Sequence, residues 1–235
     1  SSGDTILGAD GKAAIAAVLE TLNQIIEQGR SHRPVELVFT ICEEVMLLGA
    51  RRIDYGKISS RQAIVMDHCR LGEIVYISPS CVRATAEITG QSAHAAMNPD
   101  AGINALMAAV EALHNINVGK VDNDTIINVS NFVSLGKSNV VPDHARFDIE
   151  IRSFSDRLLK QHVEEMERVV TAACERYRAR YSIDAKRFAD RMCVPKDTEV
   201  ISSLFKSMKK CGIEGELVRT FGVCDVLHLD RKSVV

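Results

Sequence analysis

The sequence lacks the features that mark several large protein classes. Neither sign of charge dominates: 29 Lys and Arg stand against 31 Asp and Glu, a net of -2, with no basic stripe and no acidic tail. A nucleic-acid partner is therefore not expected. No apolar run reaches the roughly 18 residues needed to cross a bilayer, and no signal-peptide pattern opens the chain. No membrane association is expected, and the expected location is cytoplasmic. The seven cysteines (42, 69, 81, 174, 193, 211 and 224) include no CxxC pair and are odd in number. That excludes a disulfide framework and a thiolate zinc site and leaves reduced, mostly structural thiols. Internal repeats and low-complexity linkers are absent too. So is an initiator Met, and an apolar segment, Thr5-Ile6-Leu7-Gly8, follows almost at once. The last six residues, 230–235, read like translated sequencing-adapter DNA, so both ends are expected to be cut edges of a longer reading frame.

What is present is a soluble globular composition, 235 residues with 46% hydrophobic content, enough for one or two domains. The chain turns on one stretch. Val35 to Ile41 is β-branched, aromatic and nearly continuously apolar, which predicts a strand buried on both faces of a parallel sheet. It delivers Glu43 and Glu44 to the carboxyl edge, where open α/β folds place ligands. Two readings fit this pair. It can be the acidic first turn of a helix, or a metal ligand beside a general base. A helix predicted over 13–28, with Ile15, Leu19, Leu22 and Ile26 on one face and Gly29 as its stop, puts Asp10 at its start, where an N-cap would also explain it. Gln62 to Met66 predicts a second buried strand, ending at Asp67, which alone would be a turn residue. Asp10, Glu43, Glu44 and Asp67 thus form a set of acids at element ends.

After Pro79 the periodicity changes. Residues 81–89 alternate apolar and polar, the pattern of a sheet with one wet face. A helix is expected after Asn98-Pro99-Asp100, carrying Ile103, Leu106, Met107, Val110 and Leu113. Strands follow over 125–133 and 145–152, then a helix over 156–181 and a strand over 182–188. This β-α-β-β-α-β order is the split βαβ arrangement of a ferredoxin-like domain. Arg152 falls on the polar face of its strand, where its ordinary role is that of a solvated cross-strand charge partner, a role for which Arg146 and Glu150 are equally eligible. Past Pro195 a helix, a stop at Gly212 and a strand near 216–220 return the chain to its first part. The expected organisation is a catalytic domain of residues 1–80 and 190–235 with an inserted domain of 81–189.

Six strings, in order, resemble a family. They are Leu7-Gly8-Ala9-Asp10-Gly11-Lys12 before a helix, Phe39-Thr40 through Glu43-Glu44, Asp67 at a strand end, Gly90-Gln91-Ser92-Ala93-His94-Ala95, Asn139-Val140-Val141-Pro142-Asp143, and Glu150-Ile151-Arg152-Ser153. Their order and spacing resemble the co-catalytic di-zinc exopeptidases and amidohydrolases that include peptidase T, aminoacylase and carboxypeptidase G. Gly72-Glu73-Ile74-Val75-Tyr76 and Gly102-Ile103-Asn104-Ala105 look most like the peptidase T branch. The resemblance implies an α/β fold: a zinc-exopeptidase-type catalytic domain, a mixed sheet flanked by helices, with an inserted ferredoxin-like lid and dimerisation domain. It implies two zinc ions per subunit, with cobalt or manganese as substitutes. Asp10 would bridge them, and Glu44 and Asp67 would each complete one ion's carboxylate set. Glu43 would be the general base, and His94 would reach a partner subunit's site to stabilise the oxyanion. Asn139 and Arg152 would bind substrate, Arg152 by gripping a carboxylate. A short peptide would be the substrate and a homodimer the assembly.

The sequence also departs from that family. It has neither the upstream His-x-Asp motif nor the downstream metal-binding histidine, which leaves each zinc one imidazole short; His68 and His228 are the possible stand-ins. Gly11 replaces a second aspartate, Val45-Met46 replaces a smaller glycine-containing run, and Phe221 to Asp225 only loosely matches the glycine-rich substrate loop. The chain as given is expected to be an inactive part of a peptidase T-like aminopeptidase. Two alternatives are an N-acyl-amino-acid amidohydrolase of the same mechanism and a non-catalytic dimerisation or peptide-binding homologue.

Overall fold

A computed structural model describes residues 3–5 and 7–229. The adapter-like tail, 230–235, and Ile6 of the first apolar segment lie outside the described residues. The chain divides into two compact units, one of Ser1–Tyr76, Val194–Val218 and Val223–Val235, the other of Ile77–Cys193 and Arg219–Gly222.

The first unit opens with α1 (Lys12–Glu27). Its end follows the residue pattern: Gly29 takes φ 58°, so Arg30 N–H reaches the Ile25 carbonyl at 3.0 Å and Gly29 N–H the Ile26 carbonyl at 3.1 Å. That double closure satisfies carbonyls the helix leaves unpaired. The start differs from the capping alternative. Gly11 occupies the cap position, and the Asp10 carboxylate accepts from Gly11 N–H at 2.7 Å without capping the helix. A short α2 (Leu48–Arg51) and β1 (Glu73–Ser78) follow.

The segments expected as buried strands, 35–41 and 62–66, require correction. Neither is helix or strand, and their apolar side chains lie open, Phe39 at 55% and Ile64 at 62% exposure. A buried parallel strand needs a ladder on its edges and cover on its faces, and these segments find neither among the described residues. Side-chain bonds tether them instead. The Glu36 carboxylate accepts from Ser59 N–H at 3.1 Å, Ser60 N–H at 2.6 Å and the Ser60 hydroxyl. Those bonds, the Ser60 hydroxyl first, hold Glu36 down at about 2.

The second unit runs β2 (Ser80–Thr89), α3 (Ala105–Asn115), β3 (Gly119–Lys120), β4 (Thr125–Val133), β5 (His144–Ser153), α4 (Asp156–Tyr177) and β6 (Arg180–Ala189). Its sheet has the order β3-β4-β5-β2-β6 with every neighbouring pair antiparallel. This is the ferredoxin-like arrangement with the two-residue β3 added at one edge. Period-two alternation places Ala84, Ala86 and Ile88 of β2 and Phe147, Ile149 and Ile151 of β5 on one buried face.

Both helices cover that face, with adjustments. The Asn98-Pro99 signal starts only a single 3₁₀ turn; α3 is capped by Asn104, whose side chain accepts from Met107 N–H at 3.1 Å. The buried side of α3 is Ala105, Ala108, Ala109 and Ala112, not the stripe with Met107 and Val110, each 42% exposed. Alanine lets the helix axis approach the sheet closely, so the small residues win the interior. Helix α4 is capped by Ser155 and stops at Tyr177, four residues short of expectation, because Arg178 turns left-handed at φ 59° and β6 begins at Arg180.

The chain continues through β7 (Met192–Cys193), α5 (Glu199–Lys210), β8 (Glu216–Arg219) and α6 (Val226–Leu229). A small sheet has the order β7-β1-β8. Among the described residues no helix is long and apolar enough to cross a membrane. Phe147→Ala should lower unfolding stability of the second unit by about 3–5 kcal/mol, while Met107→Ala costs under about 1 kcal/mol. Urea titration of both variants distinguishes this arrangement from one in which Met107 fills the core.

Candidate active site

In the first unit the acids at element ends come together. The stretch 41–49 folds as a tight wrap: Leu47 N–H bonds the Glu43 carbonyl at 2.8 Å, and Gly49 N–H bonds the Ile41 carbonyl at 3.0 Å. A side chain at Gly49 would place its Cβ 2.3 Å from that carbonyl oxygen, so only glycine closes the wrap. Cys42, Met46 and Leu47 all have φ between 55° and 57°, a left-handed conformation that costs a non-glycine residue roughly 1 kcal/mol. This is where the sequence carries Val45-Met46 instead of smaller residues. The buried Leu47 and Ala50 anchor the wrap from below, and Glu43 and Glu44 project from it.

The electrostatics of that cluster are unusual. Partial burial, and then the negative charges of Asp67, Glu44, Asp225 and Asp10, push Glu43 up to about 7. Burial raises Asp67 as well, reinforced by Asp10, Asp225 and Glu44 and opposed by His68. Asp225 is the member that motif reading weighted least. It is buried; one carboxylate oxygen accepts from the Thr40 hydroxyl, and the other, also buried, has no hydrogen-bond partner among the described residues. Burial lifts the neighbouring Cys224 thiol to about 11, which keeps it protonated and unreactive.

These residues do not close a zinc site. Among the described residues no three His, Cys, Asp or Glu side chains converge to hold a metal ion, whereas a structural or catalytic zinc needs at least three protein ligands. His68 is engaged elsewhere, its Nε2 2.5 Å from a Glu73 oxygen. His228 lies on α6, its backbone N–H bonded to the Asp225 carbonyl. Asp10, Glu44 and Asp67 are therefore gathered as charges without being completed as a ligand set.

The remaining predicted residues lie in the second unit. Gly90 starts the His94 loop at a point where a Cβ would fall 2.0 Å from the Ile103 carbonyl oxygen. His94 is exposed, and its Nδ1 faces the N–H groups of Ala96 at 3.3 Å and Met97 at 3.2 Å. Accepting there leaves the ring proton on Nε2, which turns an N–H donor outward. The same loop is stitched to the Asn139 loop, by Ala95 N–H to the Asn139 carbonyl and Val141 N–H to the Ala93 carbonyl, both at 2.9 Å.

Arg152 is half-buried and already occupied. Its Nε and one terminal nitrogen bond the same Glu150 oxygen at 2.7 and 2.6 Å, and its other terminal nitrogen donates to the Phe221 carbonyl at 2.8 Å. Arg83 holds Glu150 from the opposite side at 2.7 Å. Burial works to raise Glu150, but the two guanidinium groups outweigh it and keep it below the ordinary carboxylate range. No sequence motif marked Glu150 as the orienter of Arg152. The signal was its placement two residues earlier on the same strand face.

The chain is similar to several known proteins. Residues 80–178 match the peptidase dimerisation domain. The Bacillus subtilis protein YqjE, uncharacterised, is 27% identical over 96% of this chain and 61% of its own length. Two solved structures align closely: a Staphylococcus aureus tripeptidase, with TM-score 0.93, 27% identity and coverage of 98% of this chain and 62% of that one, and the Bacillus cereus aminopeptidase PepT, with TM-score 0.87, 26% identity and coverage of 100% and 63%. The chain is thus similar along nearly its whole length to peptidase T-like proteins, and residues 80–178 match the dimerisation domain. It spans about three fifths of the length of these relatives.

The raised carboxyls set the sign of a pH dependence. A folded Glu43 that keeps its proton up to about 7 binds more protons than the unfolded chain between its ordinary value of 4.5 and 7, so stability is greatest below that window and falls as pH rises through it. Asp67 acts in the same direction. Urea midpoints at pH 5 and pH 8 should fall less in Glu43→Gln than in the parent. Equal slopes would place Glu43 in an ordinary solvated environment.

Proposed function

We propose that this chain carries the acid–base and substrate-gripping groups of a peptidase T-like exopeptidase that hydrolyses short peptides. The observation that carries the reading is the environment of Glu43, whose pKa of about 7 suits a group that takes a proton from an attacking water and returns it to a leaving amine near neutral pH. His94, with its proton on Nε2, offers a donor of the kind that stabilises a tetrahedral oxyanion. Asn139, on the loop stitched to it, binds a substrate polar group. Arg152 grips the peptide carboxylate, its bond to the Phe221 carbonyl being the one that substrate displaces. The similarity to an aminopeptidase and a tripeptidase supports the substrate class. On this reading 81–189 is a lid and homodimer interface inserted into the catalytic domain. The two zinc ions implied by the family belong to the whole fold, in which Asp10, Glu44 and Asp67 supply carboxylates and other groups complete the set.

The test uses a longer protein that contains these residues and cleaves a tripeptide. Glu43→Gln should lower kcat by about 10²–10⁴ with bound metal unchanged, and unaltered turnover refutes the base assignment. Arg152→Lys should raise KM for tripeptides with a free carboxylate and leave amidated ones unaffected. Mixing His94→Ala with Glu43→Gln subunits should restore activity if His94 serves its partner's site, and no recovery confines the site to one chain.

A further inference from the structure

Two arginines divide one carboxylate on the open face of the second unit's sheet. Arg83 of β2 stands directly across from Glu150 of β5, and Cys81 stands across from Arg152. Arg152 brings Nε and one terminal nitrogen to a single Glu150 oxygen, Oε1, at 2.7 and 2.6 Å. The other oxygen, Oε2, accepts from Arg83 at 2.7 Å. An arginine facing a carboxylate on its own favours the fork, two parallel N–H···O bonds to the two oxygens. Here Arg83 occupies the second oxygen, and the fork between Glu150 and Arg152 does not close.

The position of Arg83 is well defined. Its guanidinium carbon lies 5.5 Å from the centre of the Phe188 ring on β6, within the range of a cation on an aromatic face. Lys186, its cross-strand neighbour on β6, pairs with Asp184 at 2.5 Å instead of competing for Glu150. Arg83 also lines an open recess of about 300 Å³ with Asn128, Ser130 and Asp148, so its head stands outside the packed core. A pair exposed to this degree adds little to stability. Its consequence lies in Arg152, because a carboxylate shared between two cations neutralises each of them only in part.

We infer that Arg83 is a positioning residue: by holding Oε2 of Glu150 it keeps the Arg152 guanidinium partly unneutralised, and so sets the preference of this site for a peptide with a free carboxylate. The role rests on Arg152 gripping that carboxylate in place of the Phe221 carbonyl, as proposed above. Two effects of removing Arg83 have the same sign. Glu150 is released to turn both oxygens to Arg152 and close the fork, and the site loses one positive charge. Each weakens the attraction for an anion, and neither acts on a ligand whose carboxylate is amidated.

The experiment reads the arginine Nε–H signals of the 235-residue chain by nitrogen-15 NMR, with triglycine and triglycine amide as probes. In Arg83→Met, rotation about the Arg152 Nε–Cζ bond should slow by more than about threefold. The dissociation constant for triglycine should rise by about three- to tenfold, and that for the amide should not change. Arg83→Lys, which keeps a charge beside Oε2, should recover most of both effects. In a Glu150→Gln background, Arg83→Met should no longer alter the rotation, since the coupling runs through the carboxylate. Unchanged rotation in Arg83→Met, equal weakening of triglycine and its amide, or the same slowing in the Glu150→Gln background each overturns the role of Arg83. Triglycine that leaves the Arg152 signal unmoved in the parent chain overturns the grip itself, so the two failures are told apart.

Discussion

Phe147, Ile149 and Ile151 can leave water on one side of β5 because Ala105, Ala108 and Ala109 have no bulk to hold α3 away from the sheet. That close approach is the constraint on which the second unit depends. It explains why alternation on β2 and β5 is strict, why the larger residues of α3 are turned outward, and why α4 needs its apolar stripe of Leu159, Met166 and Val170 to cover the rest. A buried aromatic and several isoleucines contribute roughly 1.5–3 kcal/mol each, enough to fix the frame. Onto it are attached the His94 loop, the Asn139 loop and the Arg152–Glu150–Arg83 charge chain. Each of those is held by hydrogen bonds within the unit.

The first unit is governed by a different balance. Its acids are brought together by a strained wrap at 41–49 and by the Thr40–Asp225 bond, which joins residues 185 positions apart. Gathering like charges opposes folding unless a proton or a cation intervenes. Among the described residues no ligand set converges, and burial with the neighbouring charges pushes Glu43 up to about 7. The feature that burdens the fold is the one on which the proposed base role of Glu43 rests.

The two halves also differ in how they manage apolar surface. In the second unit every strand finds neighbours within the unit, β2 pairing with β5 and β6 across long stretches of chain. In the first, Phe39 and Ile64 are placed as strand residues by their pattern yet remain wet, and among the described residues their segments form no ladder.

Much of the second unit was readable from residue order alone. The strand expected over 125–133 matched β4 to the residue, and the β-α-β-β-α-β order followed from local periodicity, since each element's exposed and buried sides repeat with its own backbone period. Acids at element ends were equally visible as Asp10, Glu43, Glu44 and Asp67. Tertiary structure alone decided the rest: that alanines rather than Met107 face the core, that Asp225 joins the acids through Thr40, and that 35–41 and 62–66 lack a ladder among the described residues. Each depends on which distant segment occupies the adjacent space, and a pattern read along one segment carries the period of its own backbone but not the identity of its neighbour.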